Sequence, residues 1–196
     1  MLRSNILILL QLLGIQSYSV SDYYWRDYDG KIPPDAIPAD NNNNTYIGQV
    51  YVHLYGLRVG TIIPGYREVE YSCYGVGKTD TMIKILCATE SSKYVWLRTT
   101  ANTFLKDTCG KSPIVSGYDR VCCGSGILNI GRTRQQGRSI IGNVAAYNTV
   151  TLWFYYPLNG REIRDPPNTE YEVLVYRNTT SKSNYLNEYK NFDLLG

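Results

Sequence analysis

The chain has 196 residues, with 20 Lys and Arg against 17 Asp and Glu, a net charge of +3. So small an imbalance, without a basic run, argues against a dedicated nucleic-acid binder. The length suits one domain with its own core better than two large ones.

In chain order the first feature is a leader. Arg3 precedes an apolar run from Ile6 to Ile15, and small residues follow at Ser17 and Ser19. This reads as a secretory signal peptide over residues 1–19. The run is shorter than the ~20 apolar residues a transmembrane helix needs, so no stable membrane insertion is expected. The remaining chain is expected to be secreted and extracellular. Pro33-Pro34, Asp35, Asp40 and Asn41 to Asn44 then form a turn-rich approach to the first strand.

Helical periodicity is scarce beyond that point. Gln49 to Leu54 and Glu68 to Cys73 alternate apolar with polar, and Met82 to Cys87 and Tyr94 to Arg98 continue the series. In the second half Val150 to Tyr155 and Tyr171 to Tyr176 do the same. Short β-branched and aromatic runs between Gly, Pro and Asn predict an all-β chain of antiparallel, sandwich-like modules. Residues 178–196 read as a polar C-terminal tail. The nineteen tyrosines suit half-buried sheet positions, either as packing or as a recognition surface.

A long-range repeat organises these runs. Ile47-Gly48-Gln49 recurs as Ile130-Gly131-Arg132, and Gly77-Lys78 as Gly160-Arg161 at the same offset. A period of this length implies one structural module used twice. Two tandem pseudo-symmetric repeats are therefore expected, over residues 20–98 and 99–177. Duplication favours binding, since catalysis seldom needs two near-equal sites.

Five cysteines, Cys73, Cys87, Cys109, Cys122 and Cys123, should mostly pair in an oxidising compartment. Cys73–Cys87 across a hairpin is favoured, with Cys109 joined to Cys122 or Cys123. The odd thiol is free or intermolecular, which gives one route to a homodimer. Asn43 and Asn178 begin N-x-Ser/Thr sequons and are candidate glycosylation sites. No CxxC occurs and His53 is the only histidine, so a metal site ranks below disulfides. A Ser-His or Cys-His arrangement would have to use His53, which lies in a strand-like run. Asp119 with Glu170 or Glu172 is the one carboxylate pairing to consider. No phosphate-binding glycine loop occurs. The expectation is a protein that is not an enzyme and needs no cofactor. Arg132, Arg134 and Arg138 are the nearest approach to a basic cluster and read as a solvated face.

These motifs, taken in order, resemble the DM-nine repeat of invertebrate and natterin-like proteins. Gly30-Lys31-Ile32-Pro33-Pro34-Asp35-Ala36-Ile37 is similar to the family's opening, and Tyr46-Ile47-Gly48-Gln49-Val50 to its first strand. The second copy offers Ser116-Gly117-Tyr118-Asp119, Asn129-Ile130-Gly131-Arg132, Asn159-Gly160-Arg161-Glu162 and Tyr171-Glu172-Val173-Leu174-Val175. The resemblance runs from about Trp25 to Arg177. It implies an all-β pseudo-twofold monomer with lectin-like binding of mannose-type glycans in innate immunity. It also implies a sugar site built from the aspartate of a G-Y-D turn and the lysine of a P-G-K segment. Asp119 matches that aspartate, and Asp40 is its nearest counterpart in the first copy. Thr61 and Asn143 stand where the lysine belongs, in Val59-Gly60-Thr61 and Ile141-Gly142-Asn143. Charge-assisted hydrogen bonds to vicinal hydroxyls would carry such a site, and Asn143 can still both donate and accept. Loss of the lysine from both copies favours the alternative, an extracellular protein-interaction or structural component of a secretion or matrix that binds no glycan.

Overall fold

A computed structural model of the chain describes residues 22–42, 44–121, 126–147 and 152–177. The leader, Asn43, Cys122, Cys123, Asn178 and the polar tail lie outside the described residues. The first half supplies β1 (Tyr23–Asp27), β2 (Tyr46–Val52), β3 (Gly56–Ile62), β4 (Val69–Ser72), β5 (Val76–Thr79), β6 (Ile83–Ala88) and β7 (Tyr94–Thr99). A short helix, α1 (Phe104–Asp107), precedes β8 (Ser112–Pro113), β9 (Val115–Asp119), β10 (Gly126–Gln135) and β11 (Arg138–Ala145). The chain closes with β12 (Trp153–Leu158), β13 (Arg161–Arg164) and β14 (Tyr171–Tyr176).

The alternating runs at β2, β4, β6, β7, β12 and β14 are strands, as the sequence pattern predicts. The first of these departs from expectation at one end. His53 and Leu54 sit in the turn between β2 and β3, where Leu54 takes φ 69°, so His53 is an exposed turn residue and not a strand residue. The strands join one network in the order β1-β6-β2-β3-β9-β10-β11-β12-β13. β4 branches from β3 and carries β5, while β14 pairs with β10, β7 and β8. Every pairing between named strands is antiparallel.

The partner changes fall within strands. β3 pairs β9 at Gly56, then β4 at Gly60 and Thr61; β10 pairs β9 up to Asn129 and β14 at Gly131 and Arg132. Glycine permits the crowding at these corners. A Cβ on Gly60 would lie 2.2 Å from the Glu70 carbonyl oxygen, and one on Gly142 2.4 Å from that of Tyr155. The markers Gly48 and Gly131 occupy like places: Gly48 lies opposite Gly60 and Ile85, Gly131 opposite Gly142 and Val173. The second marker pair does not match in this way. Gly77 lies within β5, whereas Gly160 forms the β12–β13 turn. The position 98/99 falls inside β7, whose whole length pairs with β14.

A central core takes Ile47, Val59 and Leu86 together with Ile130, Ile141 and Leu174, so both halves contribute to it. Flanking clusters gather around Val50, Ile62 and Ile85 on one side and Phe154, Tyr171 and Val173 on the other. The centre is tied by reciprocal hydrogen bonds. The Val59 N–H donates to Asn143 Oδ1 at 3.1 Å, and the Ile141 N–H donates to Thr61 Oγ1 at 2.8 Å. Gln49 Nε2 donates to the Ser116 carbonyl, and Arg132 Nη1 to that of Ala39. Arg132 is not on a solvated face: it is buried, paired with Glu172 at 2.6 Å and stacked over Trp96.

The expected Cys73–Cys87 bridge is absent, and both thiols are free. The chain reverses at Cys73 into β5, so β5 takes the place beside β4 that the Met82 to Cys87 run was expected to fill. β6 pairs with β1 and β2 instead, which puts Cys87 opposite Tyr24, in the cluster of Val50 and Ile62. Cys109 is an exposed free thiol.

Asn143→Ala would leave the Val59 N–H without its acceptor in a place closed to water. We expect a loss of about 1–3 kcal/mol in folding stability, read from the urea midpoint at unchanged m-value.

Candidate functional site

The charge chemistry of the molecule concentrates at Arg58. Alternation along β3 turns Leu57 and Val59 one way and Arg58 the other, so a guanidinium enters the interior with its side chain 0% exposed. Its Nη1 donates to the carbonyls of Leu57 at 3.1 Å and Tyr118 at 2.9 Å. Nη2 lies 3.1 Å from Asp119 Oδ2 in an ion pair. Among the described residues neither Nε nor Nη2 has a well-aligned acceptor, although the Asp119 carboxylate and the Cys73 thiol both lie against the guanidinium.

Asp119 ends β9 opposite both Gly56 and Gly126. Its Oδ1 accepts from the Val121 N–H at 3.0 Å, the turn-forming bond open to any aspartate in this setting. Oδ2 accepts from the Tyr74 hydroxyl at 3.1 Å. The residue therefore shapes its turn and also neutralises a buried cation.

These groups close one end of a cavity of about 110 Å³. The β4–β5 turn brings Cys73 and Tyr74, β12 brings Trp153 and Tyr155, and β13 brings Glu162 and Arg164; Tyr147 completes the aromatic side. Glu162 Oε2 accepts from the Gly75 N–H at 3.0 Å, and its Oε1 from Arg164 Nε at 3.1 Å. Burial pushes the Cys73 thiol above its ordinary value against the pull of the neighbouring guanidinium, so it stays a neutral thiol near pH 7. Burial likewise holds the Tyr155 hydroxyl far above the usual tyrosine range.

A larger, more open cavity of about 330 Å³ is built the other way round. There Pro157 and Leu158 at the end of β12, with Asn159 of the following turn, meet Thr61, Glu70 and Lys78 of β3, β4 and β5. Its ion pair is Lys78 with Glu68 at 2.9 Å, exposed on both sides. Exposed pairs of this sort contribute about 0–1 kcal/mol and organise little.

The four residues expected to bind sugar do not converge. Asp119 lines the smaller cavity and Thr61 the larger, with the Thr61 hydroxyl already accepting from Ile141. Asn143 lines neither; it is fully buried, with no surface for a sugar. Asp40 organises its own loop, accepting from the N–H groups of Asn42 and Asn44 and from the Thr45 hydroxyl. Glu170 and Glu172 lie with Arg98 and Arg132 at a separate surface concavity, away from Asp119. Arg58, Trp153 and Tyr155 were not anticipated, and Cys73 was expected only as a disulfide partner. A charge on the inward side of an otherwise apolar strand was the available signal for Arg58. Among the described residues no cluster of three or more His, Cys, Asp or Glu could hold a metal ion. No helix among them is long and apolar enough to cross a membrane.

Fold and site thus define an all-β, mostly antiparallel protein with a small cavity closed by a buried ion pair. No protein-family model matches the chain, and no curated protein does. Among solved structures it is similar to the nematode sperm cell motility protein MFP2B, at 12% identity and a TM-score of 0.54, over 81% of this chain and 46% of that one. At such identity the likeness is one of fold, and this chain spans less than half of that protein's length.

Asp119→Ala should cost about 3–5 kcal/mol, because it leaves the Arg58 guanidinium buried and uncompensated. Adding Arg58→Leu should recover much of that loss, a comparison that thermal melts of the two variants make directly. Cys73 alkylation should be slow at neutral pH and rise only above the range of an ordinary thiol, since burial disfavours the thiolate. Peptide mass mapping across a pH series measures this.

Proposed function

We propose that the protein is a secreted, non-catalytic carbohydrate-recognition protein of the DM-nine type, acting through the Arg58–Asp119 cavity. The observation that carries this reading is the buried ion pair at the end of a cavity with aromatic walls. The family resemblance calls for a carboxylate beside a cation, and neutral Thr61 and Asn143 had left Asp119 without one. Arg58 supplies that cation from β3. Charge-assisted donors would fix the orientation of a sugar, and Trp153, Tyr74 and Tyr147 offer apolar faces to its ring.

A cavity of about 110 Å³ takes the edge of one sugar unit, so binding per site is weak. Useful strength would then come from multivalent presentation, for which an intermolecular disulfide to a second copy is one route. The repeat in the sequence, an innate-immune role and the mannose-type preference belong to this same reading through the resemblance.

A second reading, as an extracellular protein-interaction or structural component, has its own support. Tyr118 and Ile127 lie opposite each other on β9 and β10, 42% and 49% exposed, and Tyr51 is 43% exposed on β2. Exposed apolar side chains set side by side on a sheet suit a protein partner.

The test is a glycan array probed with the folded, secreted chain and with Trp153→Ala. We expect the wild type to retain a defined set of glycans and the variant to bind them roughly ten-fold more weakly, the equivalent of ~1.4 kcal/mol. A folded wild type that retains no glycan would sink the carbohydrate reading and leave the protein-interaction one.

A further inference from the structure

We infer that residues 185–195 of the chain's own tail dock against an exposed apolar row, Tyr51, Leu57, Tyr118 and Ile127, that crosses four strands. The inference is independent of the glycan reading. It gives the surface named above for a protein partner an occupant from within the chain, which such a partner would have to displace.

The row follows from strand register. Tyr51 of β2 lies directly opposite Leu57 of β3. Gly56 pairs with Asp119 in the antiparallel sense, which sets Leu57 beside Tyr118, and Tyr118 lies opposite Ile127 of β10. Side chains directly opposite on neighbouring strands share a face, so the four line up across β2, β3, β9 and β10. Leu57 is half-buried, and Tyr51, Tyr118 and Ile127 are exposed. Exposed Val115 extends the row along β9, because the irregularity at Ser116 returns it to the face of Tyr118. Contiguous apolar strips are disfavoured where they meet only water.

The tail has the length and the composition to cover it. β14 ends at Tyr176, opposite Ser112 of β8, and Tyr118 follows Ser112 by six residues, at most ~20 Å of strand. Residues 178–184 are Asn, Thr, Ser and Lys only, a polar linker. Tyr185 stands nine residues beyond Tyr176, a reach of up to ~30 Å, so the linker brings it level with the row. From there Tyr185, Leu186, Tyr189, Phe192, Leu194 and Leu195 supply apolar and aromatic side chains, which suit the rings of Tyr51 and Tyr118. Arg120, exposed beside Gly56 at one end of the row, offers a counter-charge to Glu188 and Asp193 of the tail. The tether decides between the tail and a second copy of the chain. A linked segment has an effective concentration on the order of millimolar, roughly a thousand-fold above a second copy in micromolar solution.

Tyr118→p-benzoylphenylalanine sets a photo-crosslinker on the row of the folded, secreted chain. The same group at Tyr66, an exposed residue between β3 and β4, records chance collisions of the tethered tail. Irradiation at micromolar concentration should join position 118 to residues 185–195 of the same chain, roughly ten-fold more than position 66, as docking adds to tethering alone. In the full chain, Tyr189→Ser with Phe192→Ser should reduce that crosslink to the level at position 66. The same pair of substitutions, without the crosslinker, should raise the fluorescence of an apolar dye such as ANS and leave the melt of the fold in place.

Equal yields at positions 118 and 66 would overturn the inference. So would crosslinks at position 118 that join two chains, which would make the row an interface between copies. Dye binding that the tail substitutions leave unchanged would overturn it as well. The glycan array responds to none of these outcomes, so the failure of one proposal is distinguishable from the failure of the other.

Discussion

The structure depends on how closely β3 and β11 approach one another. Each strand presents a backbone N–H that is answered by a side chain of the other, Val59 by Asn143 and Ile141 by Thr61. Neither Asn143 nor Thr61 could reach across if neighbouring backbone stood further off. Gly60 and Gly142, where a Cβ would strike the carbonyls of Glu70 and Tyr155, let β4 and β12 close against these same two strands. With the spacing fixed, Ile47, Val59, Ile130 and Ile141 interlock in one core, and the two halves cannot be separated without exposing it.

The same approach accounts for the buried charge. Once Val59 faces the central core, alternation sends Arg58 to the other side of β3, where β9, β12 and the β4–β5 turn enclose it. A guanidinium in that position must have a counter-charge, and β9 ends there with Asp119. The reciprocal cavity has no such requirement. Ile140 lines it from β11, and the Lys78–Glu68 pair that forms there is solvated. One architecture thus yields a cavity beside a buried ion pair and another beside a solvated one.

Much of the fold was legible because it is written in local alternation. β2, β4, β6, β7, β12 and β14 could be read from their own residues, and β14 was placed with both ends correct, Tyr171 to Tyr176. What could not be read is which strand lies beside which. The Cys73–Cys87 pairing assumed that consecutive runs face each other, but a three-residue turn at Cys73, Tyr74 and Gly75 inserted β5 between them. Thr61 and Asn143 were read as candidate sugar ligands at corresponding positions of the two halves. Their side chains satisfy backbone across the core, a long-range fact with no local signature. Asp119 was found because its turn is local. Its cation was missed because Arg58 lies in the other half of the sequence.

The presence of the pair has to be weighed against its energetic return. An apolar pair of similar volume at positions 58 and 119 would hold the same two strands at comparable or better stability. Asp119 leaves an edge of the guanidinium unsatisfied, which a purely structural ion pair would be expected to close. A buried, incompletely satisfied cation contributes little to holding the sheets together. Two backbone carbonyls already hold its plane, so in the carbohydrate reading proposed above it would orient a ligand at low reorganisation cost.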